Sequence, residues 1–200
     1  MITIWDPALF QKHSSFDGNG FLAVTGSWSH PKMLLGIINV YAPQQANQKN
    51  QLWISIQNIV LSQNNMAWIV FGDFNEVREE RERKGSRFIK SGAIAFNNFI
   101  YNSGLLEIRN GGHRYTRISA DGQKLSKLDR ILVSHKFFEL CSNPIVEILP
   151  RSYSDHCHIL QNSINLDYGP PPSDILTRGS LMVLYLVLLK IVGGTAGPIG

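Results

Sequence analysis

Four short polar stretches stand at the ends of apolar, strand-like runs and contain residue types that phosphate chemistry uses. They are residues 39–43 (NVYAP), 72–75 (GDFN), 127–130 (KLDR) and 154–156 (SDH). Polar groups that are buried without partners cost free energy, so stability alone gives little reason to place carboxylates and amides where apolar strands end. Taken singly, each stretch also fits a structural role such as a capped turn, a surface ion pair or a loop dipeptide.

The GDFN stretch offers a carboxylate and an amide two positions apart. Side chains alternate along an extended chain, so Asp73 and Asn75 are expected on the same side if the strand continues past Gly72. Asp73 could then orient a water molecule as a base, while Asn75 contacts a phosphate oxygen.

The other three stretches supply complementary groups. His156 could stabilise charge on a phosphate when protonated, and Asp129, at the end of an apolar strand, is the natural carboxylate to keep it protonated. Asp155 could hold a divalent cation, because Mg²⁺ prefers carboxylate oxygens. Tyr41 would donate a hydrogen bond to the phosphate or to the leaving oxygen. Together these residues predict metal-assisted phosphodiester hydrolysis.

Two basic segments indicate a polyanionic partner. The formal net charge is +4, and residues 78–90 and 109–136 contain most of the Arg and Lys side chains. Such segments create a positive field that attracts nucleic acid. The alternative, that both are solvated loops, stays open. Within the second segment the candidate DNA-binding residues are Arg114, Arg117, Lys127 and Arg130.

Cysteine content and hydropathy narrow the class of protein further. The sequence contains 2 Cys, too few for a disulfide framework, which favours a reducing compartment. The apolar run at residues 181–192 is interrupted by Lys190 and is shorter than the roughly 20 residues that span a bilayer. We therefore expect no membrane association.

Apolar, β-branched runs bounded by turn residues predict eight strands. These are residues 2–5, 21–28, 33–41, 66–71, 114–118, 127–133, 145–149 and 156–161. Apolar residues at helical spacing predict one helix around residues 52–60 and another around 93–100 that stops before Gly104. This order of elements predicts an α/β protein with a mixed sheet arrangement. Residues 1–167 are assigned to one domain, and residues 168–200, which begin in a Gly- and Pro-rich run, to a tail of doubtful structure.

The series NVYAP, GDFN, LDR and SDH resembles the endonuclease/exonuclease/phosphatase superfamily. Within it, the chain is most similar to the apurinic-type endonuclease domain of plant LINE-type (non-long-terminal-repeat) retrotransposons. The linking segments carry this narrower resemblance: residues 78–88 (REERERKGSRF), 111–121 (GGHRYTRISAD) and 124–134 (KLSKLDRILVS). The resemblance covers about residues 1–170.

The resemblance implies a two-sheet β-sandwich flanked by helices, with the active site where strand ends and loops converge at one edge. It implies that Tyr41 contacts the scissile phosphate, that Asp73 is the base, and that Asn75 is a phosphate ligand that lies with Asp73 at the metal. Asp129 pairs with His156. Asp155 lies next to the metal. The metal would be Mg²⁺, or Mn²⁺ instead of Mg²⁺.

The resemblance also implies partners and a cellular site. The substrate would be DNA, nicked to leave a 3′-hydroxyl that primes reverse transcription, and a reverse transcriptase domain would follow in the same chain. Because the substrate would be DNA, a functional protein is expected in the nucleus. A non-functional protein would be cytoplasmic or of unknown location.

Two motifs of the family have no counterpart before Tyr41. They are an early Asn in an N-x-R-G-like motif and a metal-binding Glu, so we expect an N-terminally truncated domain without its first strands. Residues 173–200 do not resemble the family's linker, and a frame change or mis-joined exon is our hypothesis for them. Two alternative functions stay open: a catalytically dead remnant that binds nucleic acid, and a phosphatase of the same superfamily.

Overall fold

The computed structural model describes residues 1–29, 32–141, 144–151, 154–163 and 183–184. Its strands are β1 (Phe10–Gly18), β2 (Phe21–Ser29), β3 (Lys32–Tyr41), β4 (Ala67–Asp73), β5 (Arg83–Lys84), β6 (Leu105–Glu107), β7 (Asn110–Gly112), β8 (Arg117–Ile118), β9 (Leu125–Ser126), β10 (Asp129–Ser134), β11 (Pro144–Ile148), β12 (Ile159–Ser163) and β13 (Val183–Leu184). Its α-helices are α1 (Ala46–Ser62), α2 (Lys90–Asn102) and α3 (His135–Leu140), and a 3-10 turn covers Glu80–Glu82.

A six-stranded sheet in the order β1-β2-β3-β4-β10-β6 forms the centre of the molecule. Strands β3 and β4 are parallel, and the other neighbouring pairs are antiparallel. A parallel pair needs a crossover connection, and α1 provides it between β3 and β4. Strand β4 is buried along its whole length, as expected for a strand covered on both faces.

The two faces of this sheet are covered differently. On one face, apolar residues of the central sheet share a core with Val146, Ile148 and Ile159 of a second sheet, whose order is β13-β12-β11-β7. On the other face, Leu132 and other sheet residues pack against the apolar sides of α1 and α2. A third, small sheet contains β5, β9 and β8. These layers confirm the predicted α/β class, a two-sheet sandwich with helices outside.

Several predicted elements differ from the observed ones. The run at residues 2–5 is not a strand, and residues 114–118 contribute only the two-residue β8. The strand predicted at 156–161 begins three residues later, as β12. Strand β1 was not predicted because its residues are mostly exposed on both faces, so no alternation marks it. The prediction that α2 stops before Gly104 is correct: Gly104 has a φ of 62°, and its N–H donates to the carbonyl of Tyr101.

The predicted tail falls almost entirely outside the described residues. Of residues 168–200 only β13 is described, so the domain boundary at residue 167 and the frame-change hypothesis stay predictions. Among the helices of the described ranges, none has the length and apolar character needed to span a membrane.

Candidate active site

Three neighbouring strands place Tyr41, Asp73 and Asp129 side by side at one end of the central sheet. Tyr41 pairs with Asp73 across β3 and β4, and Asp73 pairs with Asp129 across β4 and β10. Directly opposed residues on an antiparallel pair have their Cβ atoms about 5 Å apart on the same face. Asp73 and Asp129 are 5% and 2% exposed, and Tyr41 is 47% exposed. The register therefore sets two buried carboxylates next to a phenol that solvent reaches.

The GDFN stretch is a turn rather than a continued strand. Gly72 has a φ of 140°, and a Cβ there would lie 2.0 Å from the carbonyl oxygen of Val40, so only glycine fits this close approach. Strand β4 ends at Asp73, and Asn75 has a left-handed φ of 48°. The expectation that extended geometry brings Asp73 and Asn75 together was wrong. Instead, Asp73 Oδ1 accepts the Asn75 N–H at 2.9 Å, so the capping role and a site role coexist in one residue.

His156 reaches these carboxylates from the loop that precedes β12 of the second sheet. Its Nδ1 lies 2.8 Å from Asp129 Oδ2, which is the pairing expected from the resemblance, and its Nε2 lies 3.8 Å from Asp73 Oδ2. Ligand atoms of Asp73, Asp129 and His156 all fall within 4.8 Å of one another. The imidazole is 7% exposed and is oriented by Asp129, so its Nε2 faces Asp73.

Asp155, which is expected next to the metal, is paired with Arg117. Its carboxylate accepts a hydrogen bond from Arg117 Nε at 3.0 Å, and both side chains are partly exposed. It is not among the residues whose donor atoms cluster with those of Asp73. Arg117, expected to bind DNA, is thus paired beside the site, and its backbone bridges to His156.

The carboxylates of the cluster fit a divalent cation. Mg²⁺ and Mn²⁺ prefer carboxylate oxygens, which Asp73 offers, whereas the imidazole of His156 is hydrogen-bonded to Asp129. Asn75 Nδ2 donates to the carbonyl of Ala42 at 2.6 Å. An amide has two N–H donors and one acceptor oxygen, so the second N–H could still meet a phosphate and the oxygen a metal. Both roles expected of Asn75 therefore stay predictions.

A buried ion pair behind the turn was missed by sequence reasoning. Lys49 of α1 is paired with Glu76, and its Nζ also donates to the carbonyl of Asn75 at 3.1 Å. Both charged residues are buried, at 8% and 6% exposure. The pair stabilises the left-handed conformation of Asn75, which costs free energy in a residue other than glycine. The predicted helix covered only residues 52–60, whereas α1 begins at Ala46 and so includes Lys49.

Thr116 is a second residue that the sequence did not reveal. Its side chain is fully buried, and its Oγ1 accepts hydrogen bonds from the backbone N–H groups of Leu128 and Asp129, each at 2.9 Å. One hydroxyl therefore holds the start of β10, where Asp129 emerges. Thr116 lies inside a basic stretch that predicted only surface contacts.

Replacing Thr116 with Val is expected to lower the free energy of unfolding by about 2 kcal/mol, because two buried donors lose their acceptor. Thr116→Ser keeps the hydroxyl and is the matched control. Chemical denaturation of both variants measures the difference. If Thr116→Val is as stable as Thr116→Ser, the hydroxyl does not hold β10 in the way described.

Arg130 is buried in an ion network and not on a DNA-binding surface. Its side chain has 0% exposure, its Nη1 donates to Glu107 Oε1 at 2.7 Å, and its Nη2 is paired with Glu82. Lys127 Nζ also lies 2.7 Å from Glu107 Oε1. Arg130 therefore has a structural role in place of the predicted DNA contact. It connects β10 to the 3-10 turn and to β6 through its ion pairs. Lys127 is largely buried in the same network, whereas Arg114 is exposed.

The network sets the ionisation of its members. Burial alone raises the pKa of Glu107, but Arg130 and Lys127 beside it, with hydrogen bonds from Lys127 and Arg78, outweigh burial and lower that pKa to about 2. Burial alone lowers the pKa of Arg130, but the charges of Glu107 and Glu82 outweigh it and raise that pKa. Glu107 and Arg130 therefore stabilise each other's charged forms.

The free energy of unfolding should fall in acid because Glu107 becomes protonated. In the unfolded chain a Glu carboxyl titrates near its ordinary pKa of about 4.3, while the folded protein keeps Glu107 ionised down to about 2. The contribution is present above the unfolded pKa and is lost as pH falls toward the folded pKa, up to about 3 kcal/mol. Denaturation midpoints across this pH window measure it.

The control for this pH dependence is Glu147, which lies exposed on β11. Glu107→Gln is expected to flatten the acid limb of the stability curve, and Glu147→Gln to leave it as in the parent. Equal acid limbs in the parent and Glu107→Gln would contradict the assignment.

Several solved structures share the fold of this chain. The fold is similar to that of beta toxin from Staphylococcus aureus, with a TM-score of 0.54 and 14% identity over 72% of this chain and 57% of that one. It is also similar to AP endonuclease LMAP from Leishmania major, with a TM-score of 0.54 and 16% identity over 71% of this chain and 53% of that one. A third similar structure is an endonuclease/exonuclease/phosphatase family protein from Bacteroides thetaiotaomicron, with a TM-score of 0.52 and 13% identity over 75% of this chain and 62% of that one. The chain thus spans little more than half the length of these structures, and the likeness concerns the fold. No protein with a curated function matches the chain.

A family model agrees with the fold. The model described as endonuclease-reverse transcriptase matches residues 35–160, a range that contains Tyr41, Asp73, Asn75, Asp129 and His156. More than half of the chain is matched. The structure of the active-site end and this match together lead to one conclusion: the chain belongs to the endonuclease-reverse transcriptase family, within the fold of the endonuclease/exonuclease/phosphatase proteins.

Proposed function

We propose that this chain is the DNA endonuclease domain of a LINE-type retroelement, which hydrolyses phosphodiester bonds with the help of Mg²⁺ or Mn²⁺. The observation that carries the proposal is the cluster of Asp73, Asp129 and His156, whose donor atoms lie within 4.8 Å of one another beside the exposed Tyr41. This is a set of groups that can bind a cation, accept a proton and contact a phosphate at one place.

In the proposed reaction a water molecule attacks the phosphorus atom and the bond to the 3′ oxygen breaks. Asp73 orients the water and accepts its proton, since its carboxylate lies at the end of β4, where strand ends and loops meet. His156, held through Nδ1 by Asp129, presents Nε2 to the phosphate and stabilises its negative charge. The 3′ oxygen leaves and takes a proton from solvent water, giving a 3′-hydroxyl and a 5′-phosphate, and Asp73 returns its proton to solvent.

The remaining residues act by position. The Tyr41 phenol, the most exposed group of the site, donates a hydrogen bond to the phosphate or to the leaving oxygen. Asp73 and Asn75 would hold the cation, with Asp155 near it if its pair with Arg117 opens. A bound cation would polarise the phosphate and neutralise the charge that develops during the reaction.

The retroelement origin draws on the family description and on the resemblance of the linking segments. In that setting the 3′-hydroxyl would serve as a primer, a reverse transcriptase domain would belong to the same protein, and the work would take place in the nucleus. Among the alternatives, a phosphatase would use the same residues, because the cluster binds phosphate without distinguishing esters.

A plasmid-nicking assay tests the proposal. Supercoiled plasmid incubated with the protein should convert to the open circle when Mg²⁺ or Mn²⁺ is present and should remain supercoiled after chelation with EDTA. Restoring the metal in excess should restore nicking. The ends produced should support extension by a DNA polymerase, because a 3′-hydroxyl is required.

The rival functions give different results in the same assay. A catalytically dead remnant binds the plasmid but leaves it supercoiled with either metal, which would refute the proposed hydrolysis. A phosphatase releases inorganic phosphate from nucleotides or phosphoinositides and leaves the plasmid intact, which would refute DNA as the substrate.

A further inference from the structure

A pocket of about 910 Å³ lies beside the candidate active site and takes no part in the reaction described above. Its walls come from the 3-10 turn, from α2, from the segment that runs from β6 through β7, and from Lys127 just before β10. None of Asp73, Asp129 and His156 lines it. Side chains alternate along a strand, so Asp129 and Arg130 point to opposite faces of β10, and the pocket lies on the Arg130 side.

The lining is cationic. Its Arg and Lys residues are Arg78, Arg81, Arg109, Arg114 and Lys127, and its carboxylates are Glu79, Glu82 and Glu107. The two deeper carboxylates, Glu82 and Glu107, are already paired with Arg130, and Glu107 also with Arg78 and Lys127. The pocket therefore has no spare negative charge at its base.

The rim of the pocket holds cations without carboxylate partners. In residues 1–29, 32–141, 144–151 and 154–163, no carboxylate forms an ion pair with Arg109 or Arg114, and both are exposed. Arg114 is nonetheless held in place, because its Nη2 donates to the carbonyl of Arg81 at 2.8 Å and its guanidinium lies over the ring of Tyr115. A fixed, uncompensated guanidinium is suited to a phosphate, which it can bind through two hydrogen bonds.

The pocket is close enough to the active site to share one ligand with it. Lys127 lines the pocket and Asp129 belongs to the cluster. These residues are two positions apart in the chain, so their Cα atoms are at most about 7 Å apart. A nucleic-acid strand places one phosphate about every 3.4 Å along the helix axis, so a strand bound at the cluster carries further phosphates over a separation of this size.

We propose that this pocket binds the phosphodiester backbone of the nucleic-acid substrate, a few nucleotides from the scissile bond, through Arg109 and Arg114. The inference rests on the proposed function in taking DNA as the substrate, and it adds a reason why a polymer would be preferred. A polymer carries further phosphates beyond the scissile one, and these are what the pocket would bind.

Equilibrium binding of a fluorescent DNA duplex, measured in EDTA at several salt concentrations, tests the proposal without any hydrolysis. The double variant Arg109→Gln/Arg114→Gln should bind about tenfold more weakly than the parent, and the slope of log K against log salt should fall by about two, since each lost phosphate contact removes about 0.9. The double variant Arg109→Lys/Arg114→Lys keeps the charges and should keep most of the slope.

The matched control removes two exposed cations elsewhere. Lys12 on β1 and Lys136 on α3 do not line the pocket, and Lys12→Gln/Lys136→Gln should leave the slope unchanged. Chemical denaturation shows that each variant is folded before binding is compared. Equal losses in the pocket and control variants, or a pocket variant with the parent's slope, would overturn the proposal. A parent protein that binds DNA through the pocket in EDTA yet never nicks with metal would overturn only the proposed function.

Discussion

Replacing Asp73 with Asn is expected to lower the rate of metal-dependent plasmid nicking by about 10³-fold or more, because in the proposed mechanism this residue supplies both the base and a cation ligand. The carboxylate lies opposite Asp129 in the strand register and 3.8 Å from His156 Nε2. An amide in its place cannot accept a proton from water and binds a hard cation more weakly than a carboxylate does.

The Asn variant keeps the local structure that Asp73 supports. Asp73 Oδ1 accepts the N–H of Asn75 at 2.9 Å, and an amide oxygen can accept the same bond. The fold should therefore survive, which denaturation of the variant checks. Asp121→Asn, at an exposed turn, is the control and should nick at the parent's rate. Nicking by Asp73→Asn at the parent's rate would remove Asp73 from the mechanism.

Replacing Arg130 with Met is expected to have the largest effect on stability, a loss of about 3 to 5 kcal/mol, because Glu82 and Glu107 stay buried without their shared cation. The side chain of Arg130 has 0% exposure, and those of Glu82 and Glu107 each have 11%. Such a loss is a large part of the total stability of a small domain. Urea or guanidinium denaturation measures it.

A double-mutant cycle separates the network from simple packing. In the parent, Glu107→Gln removes a partner of Arg130. In the Arg130→Met background it removes a buried carboxylate that has lost one of its cationic partners and keeps only Lys127 and Arg78. The second change should therefore cost less than the first, or even stabilise the protein. If the two costs are equal, Arg130 and Glu107 do not interact, and the stability of this region comes from packing alone.

The convergence of Asp73, Asp129 and His156 was predictable because they belong to motifs at strand ends. Asp73, Asp129 and His156 each follow or precede an apolar run, and the structure brings them together at one end of the sandwich. The path by which Asn75 reaches the site was not predictable from strand periodicity, since it depends on a left-handed residue and an Asp73 cap. These are turn properties, which alternation along a strand does not describe.

Residues that support the site were not predictable for a different reason. Arg130 and Lys49 are charged, and a charge is normally assigned to the surface unless its partner is known. The partners of Arg130 are Glu82 and Glu107, which are separated from it by 48 and 23 positions in the chain. Only the fold reveals that such distant carboxylates converge.

The strand wrongly predicted at residues 2–5 and the missed strand β1 both lie at or beyond the edge of the central sheet. Residues 2–5 are apolar but lie outside the central sheet, while β1, at its edge, exposes most of its residues on both sides. Apolar content predicts burial, and it locates central strands such as β4 well. It says little about an edge strand, whose stability comes from backbone pairing with a single neighbour.

The separate origins of the site residues bear on when activity can arise during synthesis. Tyr41, Asp73 and Asp129 come from adjacent strands of one sheet, whereas His156 comes from the loop that leads into β12 of the other. A nascent chain that has emerged only as far as β10 carries the carboxylates without the imidazole that faces them. Under the proposed function, translation must therefore pass His156, and the second sheet must dock, before the growing polypeptide could cut DNA.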